Sequence, residues 1–536
     1  MNPSDDRPGT STPDAERPLH RRALLRAGAG LAGLSLARRT LAHPAPPIAT
    51  DPFTLGVASG YPHEHGMVLW TRLAPEPDAP HGGMDPAPVA VRVSIARDPG
   101  FAEIVHQETT WASAEWAHSL HVEVDGLAPG TWYWYRFELG AWVSPTGRTR
   151  TSPRADAGDP RLRFGVVCCQ HYEQGYFTAY RALVADEPDL IVHLGDYLYE
   201  GHAGADAVRR LRGPAPVTLA DYRIHHARYK RDPDLQRAHA SCPWLLTWDD
   251  HEVENDYAAD RSASAWPQAW FRARRAAAYR AYYEHMPLPR SMVPVGDQMR
   301  IHTEWWFGRL ARFFMLDTRQ YRDDEVCPDI RSSFLRGLDP DHCEALHDPK
   351  RTMLGRQQHD WLFSRLPADP GIPWTFLGNQ SLMQPASVTF DDGRPRVFTD
   401  GWDGYFGERQ ALLALLARPE VANPVVLSGD VHAFYANALA LDDTSAVHQV
   451  VATEFACGAV TATVPSPRYV ARVQREHPAV RFTHADKRGY LRVDLDAQEL
   501  RATMVGITSV REPDGRPLIL ARFSTRAGTP GPARLG

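Results

Sequence analysis

Leu190-Ile191-Val192-His193-Leu194-Gly195-Asp196-Tyr197-Leu198-Tyr199 is the stretch that decides the fold. Its first five residues, apolar but for His193, have the length of a buried strand, and Gly195 punctuates its end. Asp196 stands where the strand stops, with Tyr199 three residues on. Ligand sites in open α/β layers gather beyond the carboxyl ends of strands. Three further blocks follow the same plan. Leu162 to Cys169 is an apolar run ending at Cys168-Cys169-Gln170. Trp244 to Trp248 leads into Asp249-Asp250-His251-Glu252, and Pro424 to Leu427 leads into Gly429-Asp430-Val431-His432. Trp374 to Leu377 leads into Gly378-Asn379-Gln380, which offers neutral amide oxygens. Thiol, carboxylate, phenol and imidazole at strand ends point to a dinuclear metal site, a class of site that hydrolyses phosphate esters.

Helical patterns separate these runs, over Gly175 to Ala185, Leu219 to Ala240 and Ala265 to His285. Met299 to Trp306, Leu310 to Leu316 and Gln449 to Phe455 add strands, and Tyr490 to Ile507 reads as a hairpin. Strands mixed with helices define residues 161–510 as an α/β protein, a layered sandwich with mixed sheets. Ahead of it, Met67 to Trp70, Val89 to Ile95, His118 to Val124 and Trp132 to Phe137 are short strands. That spacing predicts a small all-β sandwich of fibronectin III or immunoglobulin-like type over residues 46–152. A Pro-, Asp- and Gly-rich break falls at Thr151 to Pro160. Residues 511–536 read as a C-terminal tail.

The first 45 residues read as a leader. A polar stretch, Met1 to His20, precedes Arg21-Arg22, a weakly apolar Ala- and Gly-rich segment from Ala27 to Ala37, and small residues at Ala37, Ala42 and Ala45. This is the layout of a signal peptide, and the arginine pair points to the twin-arginine export machinery and a periplasmic or extracellular destination. That route carries folded chains, so a metal can be loaded before export. The apolar segment is too short and weak for a membrane span, and no other candidate span is present. The 536 residues exceed one compact core, and the net charge of −6 argues against a nucleic-acid-coating surface. The six cysteines form no CxxC; Cys327 and Cys343 lie in a loop-like stretch where one disulfide is open to them.

The residue types narrow the metals. A carboxylate at Asp196 can bridge two cations, and a phenolate three residues later can return to the same one. Tyrosinate and thiolate favour a trivalent iron over calcium or magnesium. Strand alternation points Cys168 and Cys169 to opposite faces, so one of them reaches the site, and Cys169 is nearer the strand end. The competing reading of both is a buried core thiol. Asp249-Asp250-His251-Glu252 taken alone also reads as a charged helix start. Asp430 and His432, two apart, face the same way if the segment is extended.

The blocks in this order resemble the PhoD-like branch of the metallophosphatases, a superfamily that includes the purple acid phosphatases. Cys169-Gln170-His171-Tyr172-Glu173-Gln174-Gly175-Tyr176-Phe177, Asp317-Thr318-Arg319-Gln320-Tyr321-Arg322 and Asp400-Gly401-Trp402-Asp403-Gly404-Tyr405 extend the resemblance over residues 50–510. It implies a metal-dependent alkaline phosphatase or phosphodiesterase. Cys169, Asp196, Tyr199 and His432 would hold Fe³⁺, with Asp196 bridging. Asp250 and Asp430 would hold Ca²⁺, aided by Asn379 directly or through the substrate. Asp250 stands in place of an asparagine and Asp430 in place of a histidine of the purple acid phosphatases. That shift toward oxygen suits a hard cation, with Zn²⁺ and Mn²⁺ still open. Hydroxide activated by iron would attack phosphorus in line, with His251 either the proton donor to the leaving group or a hydrogen-bond partner of a ligand. Substrates in view are phosphate mono- or diesters, including phospholipid or teichoic-acid-like polymer. Alternatives are a phospholipase D-like hydrolase on the same fold and a surface-binding module with a structural metal.

Overall fold

The computed structural model describes residues 48–158, 160–327, 337–369, 371–441 and 449–536. The expected leader, with Arg21-Arg22, lies outside the described residues. Strands form where the apolar runs fall. Leu162–Val167, Leu190–His193 and Trp244–Leu246 pair in parallel. Ala311–Met315, Trp374–Gly378, Pro424–Ser428 and Val450–Ala456 make a second parallel set. Both sets are buried along nearly their whole length, as parallel strands covered on both faces must be.

Each set is the middle of a larger sheet, and the two sheets pack face to face. Phe164 of the first meets Phe313 and Phe376 of the second edge-on, with ring centroids 5.4 Å apart in each case. Val166, Val192, Leu245, Val425, Leu427 and Phe455 fill the same interior. Each such side chain contributes about 1.5–3 kcal/mol by leaving water. Helices Thr178–Ala185, Leu219–Lys230, Pro233–Ser241 and Gln268–His285 cover the outer face of the first sheet, through a core that includes Leu183, Tyr229, Leu235 and Tyr282. Gly355–Arg365 and Phe406–Leu416 cover the second. The result is four layers, helix–sheet–sheet–helix. Gln380 shows that the carboxyl ends of both sets meet. Its Nε2 donates to Thr247 Oγ1 at 2.8 Å, Trp248 O at 2.8 Å and Leu316 O at 2.7 Å, which lie beyond strands of different sheets.

The structure corrects several expectations. Leu219 to Ala240 is two helices, because Pro233 lacks the N–H that would continue the first. Asp232 caps the second by accepting from Asp234 N and Leu235 N at 3.0 and 3.1 Å. Residues 511–536 are not a tail. Pro517–Arg526 pairs with Glu499–Ile507, and Thr529–Leu535 pairs with Pro517–Arg526, so the C-terminus extends the first sheet. Ala521 and Phe523 are buried in the inter-sheet core, while Leu520 is half-buried and Arg522 exposed. The N-terminal sandwich is also not a separate body. Val57–His63, Gly66–Arg72 and Ser119–Val124 prolong the first sheet past Trp244–Leu246, joined in parallel at Gly60 and Trp244. Val89–Ala96, Ile104–Ala112 and Trp132–Leu139 face them across Leu69, Val91, Ile95, Val122 and Tyr135. One sheet thus belongs to both regions, and Pro47–Gly536 clusters as one unit through the expected break at 151–160. Cys327 and Cys343 are disulfide-bonded. Among the described residues no helix is long and apolar enough to cross a membrane.

Beneath the helical face lies a buried group of bases. Arg72 Nη1 donates to His285 Nε2 at 2.6 Å, while His285 Nδ1 donates to Ala281 O at 2.6 Å. His226 stacks on His285 with centroids 4.9 Å apart, and neither of its ring nitrogens has a partner. Burial, with His225, Lys230 and Arg72 adding, holds the His226 imidazole well below its ordinary range. The unfolded chain therefore takes this proton first as pH falls through about 6.5. The neutral ring's contribution to stability is present above that pH and lost below it. His226→Phe removes the linkage. Below pH 6.5 the stability difference should move in the variant's favour by up to about 1.4 kcal/mol per pH unit. Denaturant melts from pH 7.5 to 5 measure it, and a pH-independent difference would contradict neutral burial of His226.

Candidate metal centre

Four of the expected ligands sit on left-handed backbone: Cys169 at φ 57°, Asp196 at φ 56°, Asp430 at φ 59° and His432 at φ 53°. A residue with a Cβ avoids this region at a cost of about 1–2 kcal/mol, and such strain concentrates at functional sites. The strand-to-loop exits explain the conformation. Cys169 N donates to Gly195 O at 3.1 Å and Gln170 N to Asp196 O at 3.0 Å, so two exits run side by side. Gly195 has to be glycine: its φ is 110°, and a Cβ there would lie 2.5 Å from Asp249 N. The Gly429–His432 segment is not extended, contrary to expectation. Val431 N donates to Gly429 O at 2.6 Å, closing a three-residue turn around Asp430, a tight and strained class when the central φ is positive.

The turns bring the donors together. Ligand atoms of Cys169, Asp196 and His432 lie within 4.8 Å of one another, as do those of Asp196, Asp250 and His251, and those of Asp250, Asp256 and Asp400. The Tyr199 hydroxyl donates to Asp196 Oδ2 at 2.7 Å and lies 3.0 Å from His432 Nε2. His432 Nδ1 donates to Thr463 O at 2.8 Å, and its Nε2 lies 3.9 Å from Asp196 Oδ2. Asp430 belongs to none of these three groups, and its Oδ1 lies 3.9 Å from Arg319 Nη2. Asn379 is hydrogen-bonded at both ends of its amide: its carbonyl accepts from Trp402 Nε1 at 2.9 Å and its amide donates to Ser381 O and Ser428 Oγ. Cys168 packs in the core, its sulfur 3.3 Å from that of Cys457, so Cys169 alone of the neighbouring pair joins the donor groups.

Electrostatics shape the pocket. Burial alone would push the Asp196 carboxyl up, but His251, His432 and the Tyr199 hydroxyl outweigh it and hold the group well below the carboxylate range. Burial, then Asp196 and Cys169, push the Tyr199 phenol well up. Burial raises Asp430 to about 7 against the pull of Arg319, with Asp400, Asp250 and Asp196 adding to the rise. Buried Asp196 Oδ1 and Asp249 Oδ2 have no hydrogen-bond partner. Leaving carboxylate oxygens unpaired in a buried site is costly unless a cation meets them. Thiol, phenol, imidazole and carboxylate around such orphaned oxygens fit a metal pair.

Several functional residues carried no assigned role in the sequence reading. Glu252 lies in the quoted block, and its carboxylate accepts from Asp196 N at 3.1 Å, Tyr197 N at 2.6 Å and Asp249 N at 3.0 Å. Glu200 directly follows Tyr199, and its Oε2 is 2.7 Å from His251 Nδ1. Its Oε1 accepts from Asn255 N at 2.8 Å. His171 and His251 lie against the Tyr199 ring, with centroids 4.6 and 4.1 Å away. A glutamate directly after one ligand block, Glu200, and another inside a second, Glu252, is the signal the sequence carries.

Mixed soft and hard donors at the joined carboxyl edges of two packed sheets belong to a metal-dependent hydrolase of the layered α/β class. The family model PhoD-like phosphatase matches residues 164–504, and that of its N-terminal domain matches residues 39–153. The chain is 38% identical over 524 residues to alkaline phosphatase D of Bacillus subtilis (strain 168), covering 95% of this chain and 86% of that one. A solved structure described as that of PhoD superposes with a TM-score of 0.84 at 37% identity, covering 92% of this chain and 94% of that one. The chain belongs to the PhoD-like phosphatase family, and it is a phosphoric ester hydrolase.

Glu252 offers a direct check on how the loops are held. Glu252→Gln puts an amide donor against at least one backbone N–H. The expected cost is about 1–3 kcal/mol of stability, accompanied by a lower metal content after purification. Denaturant melts and elemental analysis read both, and a variant unchanged in both would show that the three N–H contacts do not hold the ligand loops.

Proposed function

We propose that this chain is an exported phosphatase and phosphodiesterase with one Fe³⁺ and one Ca²⁺. Cys169, Asp196, Tyr199 and His432 would hold the iron, and Asp250 and Asp430 the calcium, with Asp196 shared. The observation that carries the reading is the convergence of Cys169, Asp196 and His432, with the Tyr199 hydroxyl on Asp196. Two groups held well above their ordinary pKa, the Cys169 thiol and the Tyr199 phenol, yield their protons most readily to a strong Lewis acid. Carboxylates at Asp250 and Asp430 suit a hard divalent ion. When bound, such a pair makes water nucleophilic near neutral pH and offsets charge on the phosphoryl oxygens.

The protein's own groups supply the rest. Glu200 takes His251 Nδ1, so Nε2 is the nitrogen left to give a proton to the leaving alkoxide. Packing against Tyr199, with the two rings tilted by 34°, limits the rotation of that ring. Thr463 O fixes His432 in the same way, leaving Nε2 as a lone-pair donor. Asn379 retains one carbonyl lone pair for the second cation or the substrate.

A narrower reading, a phospholipid headgroup as substrate, has one observation in its favour. Trp266 and Trp270 are exposed on a segment tied to Glu254 through Ser262 Oγ at 2.5 Å and Ser264 N at 2.9 Å, and Glu254 N donates to Asp250 O. Turnover of detergent-dispersed phospholipid relative to p-nitrophenyl phosphate separates the two readings.

Chelation followed by single-site variants tests the metal assignment. Chelator should abolish hydrolysis of p-nitrophenyl phosphate and its bis ester while the far-UV spectrum is kept. His432→Ala should lose iron and activity whatever divalent ion is added. Asp430→His should keep the phenolate-to-iron absorption band and let Zn²⁺ or Mn²⁺ replace calcium in residual turnover. Iron lost as completely from Asp430→His as from His432→Ala would remove Asp430 from the second site.

Export by the twin-arginine route is part of the proposal. It rests on Arg21-Arg22, and the Cys327–Cys343 disulfide is of a kind that persists outside the cytoplasm. Arg21→Lys combined with Arg22→Lys should leave precursor in the cytoplasm, as fractionation would show. Normal export of the double variant would refute the route and leave the hydrolase standing.

A further inference from the structure

Arg319 lies at the centre of a set of carboxylates, Asp249 and Asp250 buried and Asp400 and Asp430 half-buried, and its own side chain is only 1% exposed. Its Nε donates to Asp249 Oδ1, and its Nη1 donates to both oxygens of Asp400, at 2.7 and 2.9 Å. Two other carboxylates stand just out of hydrogen-bond range: Asp250 Oδ2 is 3.8 Å from Nη1, and Asp430 Oδ1 is 3.9 Å from Nη2. Nη2 is buried without a hydrogen-bond partner. The backbone beneath is fixed, since Asp317 Oδ1 accepts from Arg319 N at 3.0 Å and Gln320 N at 2.9 Å. Three chain segments, at 249–250, 400 and 430, are therefore referred to one planar cation.

We propose that Arg319 is the positioning residue of the divalent-cation half of the site. Its guanidinium sorts four carboxylates into two that it hydrogen-bonds, Asp249 and Asp400, and two that it does not, Asp250 and Asp430; Asp250 Oδ1 and Oδ2 accept one backbone N–H each, from His251 and Asp256, which leaves each oxygen a lone pair for a cation. The inference rests on the reading of Asp250 and Asp430 as ligands. The physical reason is the fork: a guanidinium presents five N–H donors in fixed directions, so it can hold Asp249 and Asp400 on different edges at once. An ammonium on a flexible stem would collapse onto a single carboxylate. The charge attracts Asp250 and Asp430 without consuming their lone pairs, because 3.8–3.9 Å is too long for a hydrogen bond. Arg322 provides the contrast within the same cluster. It donates to Asp400 Oδ1 at 2.8 Å and to the carbonyls of Asp400, Asp256 and Tyr257 at 2.7, 3.1 and 2.9 Å. Those are loop-holding contacts, and none reaches Asp250 or Asp430.

Arg319→Lys keeps the charge and removes the fork, so it isolates geometry from electrostatic attraction. Calcium titrated calorimetrically into iron-loaded protein is the main readout, with the iron-to-protein ratio and the melting curve alongside. The expected result is calcium affinity lower by about 10–100-fold, the range for partners that orient metal ligands, with iron content kept. Turnover lost in Arg319→Lys should return as calcium is raised. Arg322→Lys, which disturbs the same Asp400, should leave calcium affinity within about two-fold by the same reasoning. Equal calcium affinity in wild type and Arg319→Lys overturns the inference, and so does an equal loss in both lysine variants, which would mark a merely structural role. If Arg319→Lys does not fold, Asp249→Asn takes its place, weakening one anchor of the fork; unchanged calcium affinity there overturns the inference as well. A wild-type, iron-loaded protein that takes up no calcium, zinc or manganese fails the metal reading itself, and this inference falls with it.

Discussion

Asp196, Asp249, Asp250, Asp400 and Asp430 share one largely buried volume, and the mutual repulsion of these carboxylates is the constraint to which the surrounding structure answers. Burial alone pushes each of the five up. Arg319 and Arg322 oppose the rise at Asp400 and hold it well below the carboxylate range. His251 and His432 do the same for Asp196. Even with these partners, Asp196 Oδ1 and Asp249 Oδ2 have no hydrogen bond. Asp249, Asp250 and Asp430 stay raised all the same, so protein groups compensate only part of the charge, and a cation beside Asp196 would offset more of it.

The backbone supports this concentration of charge through its strand exits. Parallel strands in two packed sheets aim their carboxyl ends at one edge, and the chain leaves that edge in turns tight enough to put Cys169, Asp196, Asp430 and His432 at positive φ. Strain of that kind persists only where its surroundings over-determine it. Here Glu252 grips three backbone N–H groups and Gln380 binds the exits of both sheets. The inter-sheet core of Phe164, Phe313 and Phe376 lies beneath and supplies the rigidity. The link from packing to chemistry is thus direct: a sheet that slipped by one residue would reverse which side chains face the pocket.

Much of this was legible in the residues. Apolar runs bounded by Gly or Asp marked the strands that carry the site, because a strand buried on both faces reads as a short continuous apolar run. Leu190–His193 and Pro424–Ser428 are examples. The C-terminal strands were harder to see. Pro517–Arg526 buries Ala521, Phe523, Ser524 and Thr525 while its first residues remain exposed or half-buried, so its pattern is weak and its partner strand gives it meaning. The continuity of the N-terminal sandwich with the first sheet depends on the single pairing of Gly60 with Trp244, across 184 residues that no local pattern spans.

By itself the sequence determined which residue types stand at the strand ends, the order of the blocks and the α/β layering, because apolar periodicity and Gly or Pro punctuation are local properties. Tertiary structure decided how those types divide into roles. Asp249 and Asp250 are neighbours of one kind, yet Arg319 hydrogen-bonds the first and stays 3.8 Å from the second, whose oxygens accept from His251 N and Asp256 N. Asp430 and His432 were expected on extended chain, but a turn around Asp430 sets their directions. Glu200 and Glu252 drew no role until folding placed one carboxylate on His251 and the other under three N–H groups. The physical reason is distance: hydrogen bonds and charge interactions act over a few ångströms, and only the packed fold decides which groups come that close.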